Sequence, residues 1–275
     1  MAGTIVIKVG GGAGIDLGPI IDEFAELVRS GGRAVLVHGG SHETNVIAEK
    51  LGRPPEFITS PSGHTSRRTD RETLEIFEMV YCGKVNKGVV ERLQAAGVNA
   101  VGLSGVDGGL WRAERKKAIR AVDAGGRTRV IRDDLSGRVR SVDADLLAVL
   151  LDAGRTPVLT PPAFSDEGIA VNVDADRAAA MTAAALDADE LLLLSNVPGV
   201  LSDPDDTASL IASVAGAGVD AVRTAAKGRM KNKVMAAEEA IAGGVGRVVI
   251  GSAAGGGAIR RARDGAGTVF EGALT

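Results

Sequence analysis

Apolar positions along the chain fall into two regimes. Short runs rich in Val, Ile and Leu at residues 4–9, 34–38, 99–103, 156–159, 190–194 and 247–250 predict strands. Between them, residues 17–29, 69–96, 143–152, 174–186 and 230–242 carry apolar side chains at helical spacing. Strands that alternate with helices predict an α/β architecture, in which a largely parallel sheet is covered by helices on both faces.

Residues 111–140 break this rhythm. Two polar, strand-like arms flank Gly125-Gly126, and the segment reads as an antiparallel hairpin excursion. The turn-rich stretch Pro161-Pro162-Ala163-Phe164-Ser165-Asp166-Glu167-Gly168 reads as a hinge between an amino-terminal and a carboxy-terminal half, with the boundary near residue 170. After residue 251 the expectation is only a short glycine-rich tail.

At 275 residues and 45% hydrophobic content, the chain can bury a sizeable core. Its start, MAGTIVIKVGGG, enters a strand almost at once and lacks the features of a secretory signal. No later apolar run reaches membrane-spanning length, so the expectation is a cytoplasmic protein with no membrane association. A single cysteine, Cys82, and three histidines leave no internal disulfide and no metal-ligand cluster. With a formal net charge of -3, bulk electrostatics gives no reason to expect nucleic acid as a partner. An anion site must therefore be assembled locally.

Four patterns bear on such a site. In Lys8-Val9-Gly10-Gly11-Gly12, a lysine at the end of an apolar strand precedes glycines whose backbone can approach an anion closely. The spacing is neither Walker A nor G-x-G-x-x-G. Glycines of this kind also serve plain tight turns, but a buried ammonium needs an anionic partner or solvent. His38-Gly39-Gly40-Ser41 repeats the arrangement between a strand and a helix, with amides directed at an anion. Both turns lie at carboxyl ends of strands, where open α/β sheets collect ligands. His38 reads either as a general base or, the commoner state at such a position, as a packing and hydrogen-bonding residue.

In Asn172-Val173-Asp174-Ala175-Asp176, Asp174 reads as a helix N-cap. Asp176 either complements the helix dipole or stands between catalytic lysines, and spacing alone leaves both open. Finally, Lys227-Gly228-Arg229-Met230-Lys231-Asn232-Lys233-Val234 places positive charge at a helix start, against the dipole. Either a polyphosphate compensates it or the lysines are solvated.

These four elements, in this order, resemble the amino-acid kinase superfamily, and within it the acetylglutamate kinase branch. The resemblance spans nearly the whole chain. VHGGSHETN, TDRETLEIFEMVYCGKVNK, GLSGVDGGL, LTPPA, LSNVPG and GRMKNKVM look most like the members that act on substrates tethered to the amino-group carrier protein LysW. Ordinary acetylglutamate kinases tend to carry a third glycine where Ser41 stands, and they differ over residues 69–87.

The resemblance implies a three-layer αβα sandwich with a mainly parallel open sheet, the carbamate kinase-like fold. It also implies a substrate lobe at 1–170 and an ATP lobe at 171–275 on one continuous sheet. The implied activity is ATP-dependent phosphorylation of the side-chain carboxylate of LysW-linked aminoadipate, with LysW-linked glutamate as an additional acceptor. Free acetylglutamate is the alternative acceptor, and an amino-acid sensor on the same fold is the non-enzymatic one. Lys8 and Lys233 match the lysines that stabilise the transferring phosphoryl group, and Asp176 the aspartate that orients them. Gly39, Gly40, Arg67 and Asn172 match substrate-binding positions, with Arg68 a rival for Arg67. Gly10, Gly11, Ser195, Asn196, Gly199, Lys227 and Gly228 fall where the family binds nucleotide. Mg2+ is expected through the ATP phosphates and water, with no protein metal site. Arg112, Arg115, Lys116, Lys117, Arg120, Arg127, Arg129 and Arg132 outnumber Glu114 and Asp123 on the hairpin, which is either a solvated surface or a docking face for the acidic carrier. A homodimer is expected, because the amino-terminal helix associated with arginine-regulated hexamers is lacking.

Overall fold

The computed structural model of the chain describes residues 3–61, 63, 65–122 and 126–272. The chain opens with β1 (Thr4–Val9), α1 (Gly18–Arg29), β2 (Arg33–His38) and α2 (Ser41–Lys50). Two short strands, β3 (Phe57–Thr59) and β4 (Thr65–Arg67), precede a continuous helical stretch of α3 (Arg71–Glu78), a π-helical segment (Met79–Val85) and α4 (Asn86–Ala95). Five strands follow, β5 (Ala100–Gly105), β6 (Trp111–Arg115), β7 (Ile119–Val122), β8 (Thr128–Ile131) and β9 (Gly137–Val142), and then α5 (Ala144–Asp152). The second half begins with β10 (Thr156–Ser165), β11 (Ala170–Val171), α6 (Ala175–Ala185) and β12 (Glu190–Ser195). It ends with α7 (Val214–Ala217), α8 (Val219–Ala225), α9 (Met230–Ala242), β13 (Arg247–Ser252), α10 (Ala258–Arg263) and β14 (Thr268–Glu271).

The main sheet runs β14-β13-β12-β1-β2-β10-β6-β9, and β5 and β11 also pair with β10. Its centre is parallel: β13 with β12, β12 with β1, β1 with β2, β2 with β10 and β10 with β5. Antiparallel strands occur at the margins, where β14 joins β13, β9 joins β6 and β11 joins β10. Strand alternation divides the core. Val6, Val35, Val37, Leu191 and Leu193 point to one face, and Ile5, Ile7, Val9, Leu36, Leu192 and Leu194 to the other. The first face is covered by α6 and α9 through buried alanines, the second by α1, α4 and α10 through Phe24, Leu93 and Ile259. Each fully buried Leu, Ile or Phe contributes about 1.5 to 3 kcal/mol of transfer free energy. The expected three-layer αβα arrangement around a mainly parallel sheet is the observed one. Among the described residues no helix is long and apolar enough to cross a membrane.

Four local expectations need correction. The helix expected over 69–96 starts at Arg71 behind an Asp70 cap and changes to π geometry at Met79 before returning to α at Asn86. Apolar spacing gives no sign of that change.

The hinge expected at 161–168 is strand as far as Ser165. Pro161 and Pro162 fit because pairing to β2 ends at Leu159, pairing to β5 ends at Thr160, and pairing to β6 starts only at Phe164. No ladder bond is asked of the missing N–H groups.

The hairpin is nested. β6 and β9 form an outer pair in the main sheet, while β7 and β8 form an inner pair in a second sheet of order β4-β3-β7-β8. Asp123 and Gly125, which belong to this expectation, lie outside the described residues. The carboxy-terminal tail is not simply glycine-rich, since it forms α10 and β14.

Candidate active site

β1 lies between β2 and β12, where the sheet passes from strands that begin before residue 170 to strands that begin after it. Ligands of open α/β sheets bind outside the carboxyl ends of strands at such a switch point. Lys8, the penultimate residue of β1, shares the parity of Val6 and therefore points to the α6/α9 face. There it meets Asp176 from the first turn of α6 and Lys233 from the first turn of α9. Lys8 Nζ is 2.5 Å from Asp176 Oδ1, and Lys233 Nζ donates to Asp176 Oδ2 at 2.7 Å. Exposure is 4%, 7% and 8% for Lys8, Asp176 and Lys233, so the triad is dry.

Burial favours the neutral carboxyl, but the Lys233 and Lys8 ammoniums outweigh it and hold Asp176 far below the usual carboxylate range. Burial and the Lys233 charge lower the Lys8 pKa, with Asp176 opposing. Two ammoniums against one carboxylate leave an excess of positive charge in a low-dielectric setting, which a further anion would neutralise.

The helices that carry the triad are tied to each other twice more. Asp174 caps α6 by accepting from Arg177 N at 3.0 Å, as expected, and also accepts from Asn232 Nδ2 at 2.6 Å. Glu239 of α9 accepts from Arg177 Nε at 3.0 Å. These pairs flank Asp176–Lys233 and set the azimuth of both helices.

The two glycine turns touch backbone to backbone. A Cβ on Gly11 would stand 2.1 Å from Gly40 N and 2.3 Å from Gly39 C, so glycine is required there for close approach. Gly10 N–H donates to Leu194 O at 2.9 Å and Gly39 N–H to Val9 O at 3.0 Å, which commits both amides to the framework. The N–H groups of Gly11 and Gly12 have no acceptor among the described residues. Ser41 Oγ and His42 N donate to Gly11 O at 3.0 Å and 2.7 Å and lock the first turn to α2.

His38 is fully buried. Its Nδ1 lies 3.0 Å from Gly39 O and its Nε2 3.1 Å from Asn86 Nδ2, which itself donates to Val158 O at 3.0 Å. A carbonyl only accepts and an amide NH2 only donates, so the imidazole is neutral with its proton on Nδ1. Burial pushes its pKa down to about 4. The packing reading of His38 replaces the general-base one.

Arg67 and Arg68 have opposite surroundings. Arg67 is buried, donates to Ser41 O at 3.2 Å and to Asn45 Oδ1, and lies 5.4 Å over the Phe57 ring, while its Nη1 has no partner. Arg68 faces carboxylates at 2.7 Å (Asp133) and 3.1 Å (Asp70). Arg67 thus keeps a buried, unpartnered donor for a ligand, whereas the charge of Arg68 is already met by carboxylates. The Tyr81 hydroxyl and Arg229 lie within electrostatic reach of Arg67. Tyr81 stacks on Phe77 with ring centroids 3.8 Å apart, and burial pushes its pKa up to about 12, so it remains a neutral phenol. Asn172 Nδ2 donates to Thr69 Oγ1 at 3.2 Å.

On the β12 side, Ser195 is buried with its hydroxyl unpartnered, next to the end of β1. Asn196 follows on an exposed loop. Gly199 packs where a Cβ would be 2.6 Å from Leu210 Cδ1 and 2.7 Å from Thr268 Oγ1, so its local role is close packing. Lys227 and Gly228 are exposed in the turn before α9, with Gly228 at φ +50°. Among the described residues no group of three or more His, Cys, Asp or Glu could hold a metal ion. The unpaired Ser195 hydroxyl, the Gly11 and Gly12 amides and the Lys8–Lys233 charge suit a polyphosphate chain. Sequence reasoning missed Ser41 and Asn45, whose i, i+4 spacing on α2 was the available signal, and Tyr81, which had none.

A sequence model described as the amino acid kinase family matches residues 3–252. The LysW-aminoadipate kinase of Deinococcus radiodurans is 57% identical over 265 residues, which span 96% of this chain and 90% of that protein. The LysW-aminoadipate kinase of Thermus thermophilus is 51% identical over 267 residues, spanning 96% of this chain and 99% of its own. In structure, the N-acetylglutamate synthase of Neisseria gonorrhoeae aligns over 99% of this chain with a TM-score of 0.74 at 25% identity. This chain spans 60% of that longer protein.

Proposed function

The chain belongs to the amino acid kinase family, and from that premise we propose that it transfers the γ-phosphoryl group of ATP to the side-chain carboxylate of aminoadipate carried on LysW. LysW-linked glutamate, one methylene shorter, is a second acceptor. The observation that carries the reading is the buried Lys8–Asp176–Lys233 triad with its excess positive charge.

The acceptor carboxylate has an unperturbed pKa of about 4.3, so it arrives as an anion and needs no general base. The neutral, hydrogen-bonded His38 agrees with that. One acceptor oxygen forms the new P–O bond as the bond from the γ-phosphorus to the bridging oxygen breaks, giving an acyl phosphate and ADP with no proton moved. The barrier is the approach of two anions and the charge on the phosphoryl oxygens, and fixed cations and amides lower it. Asp176 holds one lysine nitrogen on each oxygen, which keeps Lys8 and Lys233 apart. Arg67 grips the acceptor α-carboxylate, and Gly40 and Asn172 line the acceptor side. Gly11, Ser195, Asn196, Lys227 and Gly228 attend the nucleotide. Mg2+ would enter with the ATP phosphates rather than on a protein carboxylate cluster, and would supply further charge neutralisation.

The second sheet supports carrier docking. Lys116, Lys117, Arg120 and Arg132 are exposed around β7 and β8, and Arg67 stands on β4 three strands from β8, about 14 Å at ordinary strand spacing. A homodimer in the cytoplasm completes the proposal; a hexamer by light scattering would contradict it.

The test is ATP-dependent phosphorylation of LysW-linked aminoadipate, LysW-linked glutamate and free acetylglutamate in parallel, for wild type and for a Lys116→Glu, Arg120→Glu, Arg132→Glu triple variant. Turnover should be confined to the carrier-linked acceptors, with a raised KM for them in the variant. Efficient use of free acetylglutamate would overturn the carrier reading.

A further inference from the structure

Asp134 is a buried carboxylate that the chemistry above does not use. It is 1% exposed and forms no ion pair among the described residues. Its charge is met by neutral donors. Thr69 N donates to Oδ2 at 2.9 Å, Ser136 N donates to Oδ1 at 2.9 Å, and the Ser136 hydroxyl donates to Oδ1 as well. Leu135 N returns a bond to Thr69 O at 2.6 Å, so Thr69 is pinned through both of its main-chain groups.

The pinned residue connects the main chain of Arg67 to the side chain of Asn172. The Thr69 hydroxyl donates to Arg67 O at 3.2 Å and accepts from Asn172 Nδ2 at 3.2 Å. The Asn172 backbone joins the same knot, with its N–H on Leu135 O and its carbonyl taking Gly137 N–H, both at 2.8 Å. Neither Thr69 nor Asp134 lies in a strand: a single parallel bridge, Ser136 with Asn172, ties Asn172 to the 135–137 segment, and no ladder ties Thr69 to it. The carboxylate takes the place of one, and bonds from neutral donors to a charged acceptor are stronger than those to a carbonyl.

We infer that Asp134 is a positioning residue for the acceptor site, holding the backbone that carries Arg67 in register with the amide of Asn172. This rests on the acceptor role proposed for those two side chains. An amide at this position keeps the volume, but whichever way it turns, its NH2 faces an N–H donor. A buried donor left without an acceptor costs enough to loosen the knot.

The experiment measures KM for LysW-linked aminoadipate, KM for ATP, kcat and the thermal midpoint for wild type, Arg67→Ala, Asp134→Asn and Ser136→Ala. Asp134→Asn should raise the acceptor KM about ten- to a hundredfold while the ATP KM moves less than about twofold, because the lost interaction is uniform acceptor binding. Ser136→Ala removes one donor, keeps the carboxylate, and should raise the acceptor KM about threefold, which gives the same reading if Asp134→Asn does not fold. An unchanged acceptor KM in a folded Asp134→Asn, with Arg67→Ala raising it, would overturn the positioning role alone. A fall in kcat with both KM values unchanged would mark a structural role and overturn it too. A wild type that phosphorylates no acceptor would overturn the proposed activity and this inference with it.

Discussion

Two adjacent arginines show how surroundings decide a role that sequence leaves open. Arg67 keeps a buried, unpaired Nη1 beside Ser41 and Asn45, whereas Arg68 is occupied by Asp70 and Asp133. Arg67→Lys loses the planar fork and should raise the acceptor KM about tenfold or more, while Arg68→Lys should leave it within about twofold. Equal effects in steady-state kinetics would contradict the assignment.

His38 offers a pH prediction. Its folded pKa, about 4, lies below the ordinary value of 6.5, so between those values the unfolded chain binds the proton and the folded chain does not. The stability associated with the neutral imidazole is therefore complete above pH 6.5 and is lost as pH falls from 6.5 to 4. The loss is about 3 kcal/mol at full extent. Urea unfolding across that window should show a shallower decline in His38→Gln than in wild type; parallel curves would count against it.

Lys8 was legible because a lysine ending an apolar strand has few innocent explanations. The role proposed for Asp176 was not, since two residues past an N-cap is also where a carboxylate merely complements a helix dipole.

The pairing of α6 and α9 turns one-dimensional spacing into a site. Asp176, Ala180 and Ala183 recur at helical intervals on α6, as do Lys233, Ala237 and Ala240 on α9, and all six are buried. Small side chains along both faces let the axes approach closely enough for a carboxylate and an ammonium to meet. Ala237→Leu should wedge the helices apart, costing about 1 to 3 kcal/mol of stability. It should also lower kcat, because Lys233 withdraws from Asp176. A lowered thermal midpoint with kcat intact would mean that the triad does not depend on this packing. Both helices were visible in the sequence, at 174–186 and 230–242, but their pairing was not. The π segment and the strand through Pro161 and Pro162 were hidden for a different reason. Each depends on what neighbouring strands and helices leave free, which local spacing does not record.

At the scale of the molecule, alternating strands and helices were enough to anticipate a three-layer fold with two glycine turns at one sheet edge. The second sheet was missed because β3 and β4 are three residues each, too short for any periodic signal. Yet it is this sheet that carries Arg67 at one edge and the basic strands at the other, joining the proposed acceptor site to the proposed docking face. The whole architecture converges on the triad of Lys8, Asp176 and Lys233.

Single-turnover transfer from saturating ATP to LysW-linked aminoadipate, with enzyme in excess, tests that triad most directly. Lys8→Ala and Lys233→Ala should each slow transfer by about two to three orders of magnitude, because fixed charge at the transferring group is removed. ATP and acceptor Kd should change far less. Transfer within about threefold of wild type in either variant, with both ligands bound, would contradict the account.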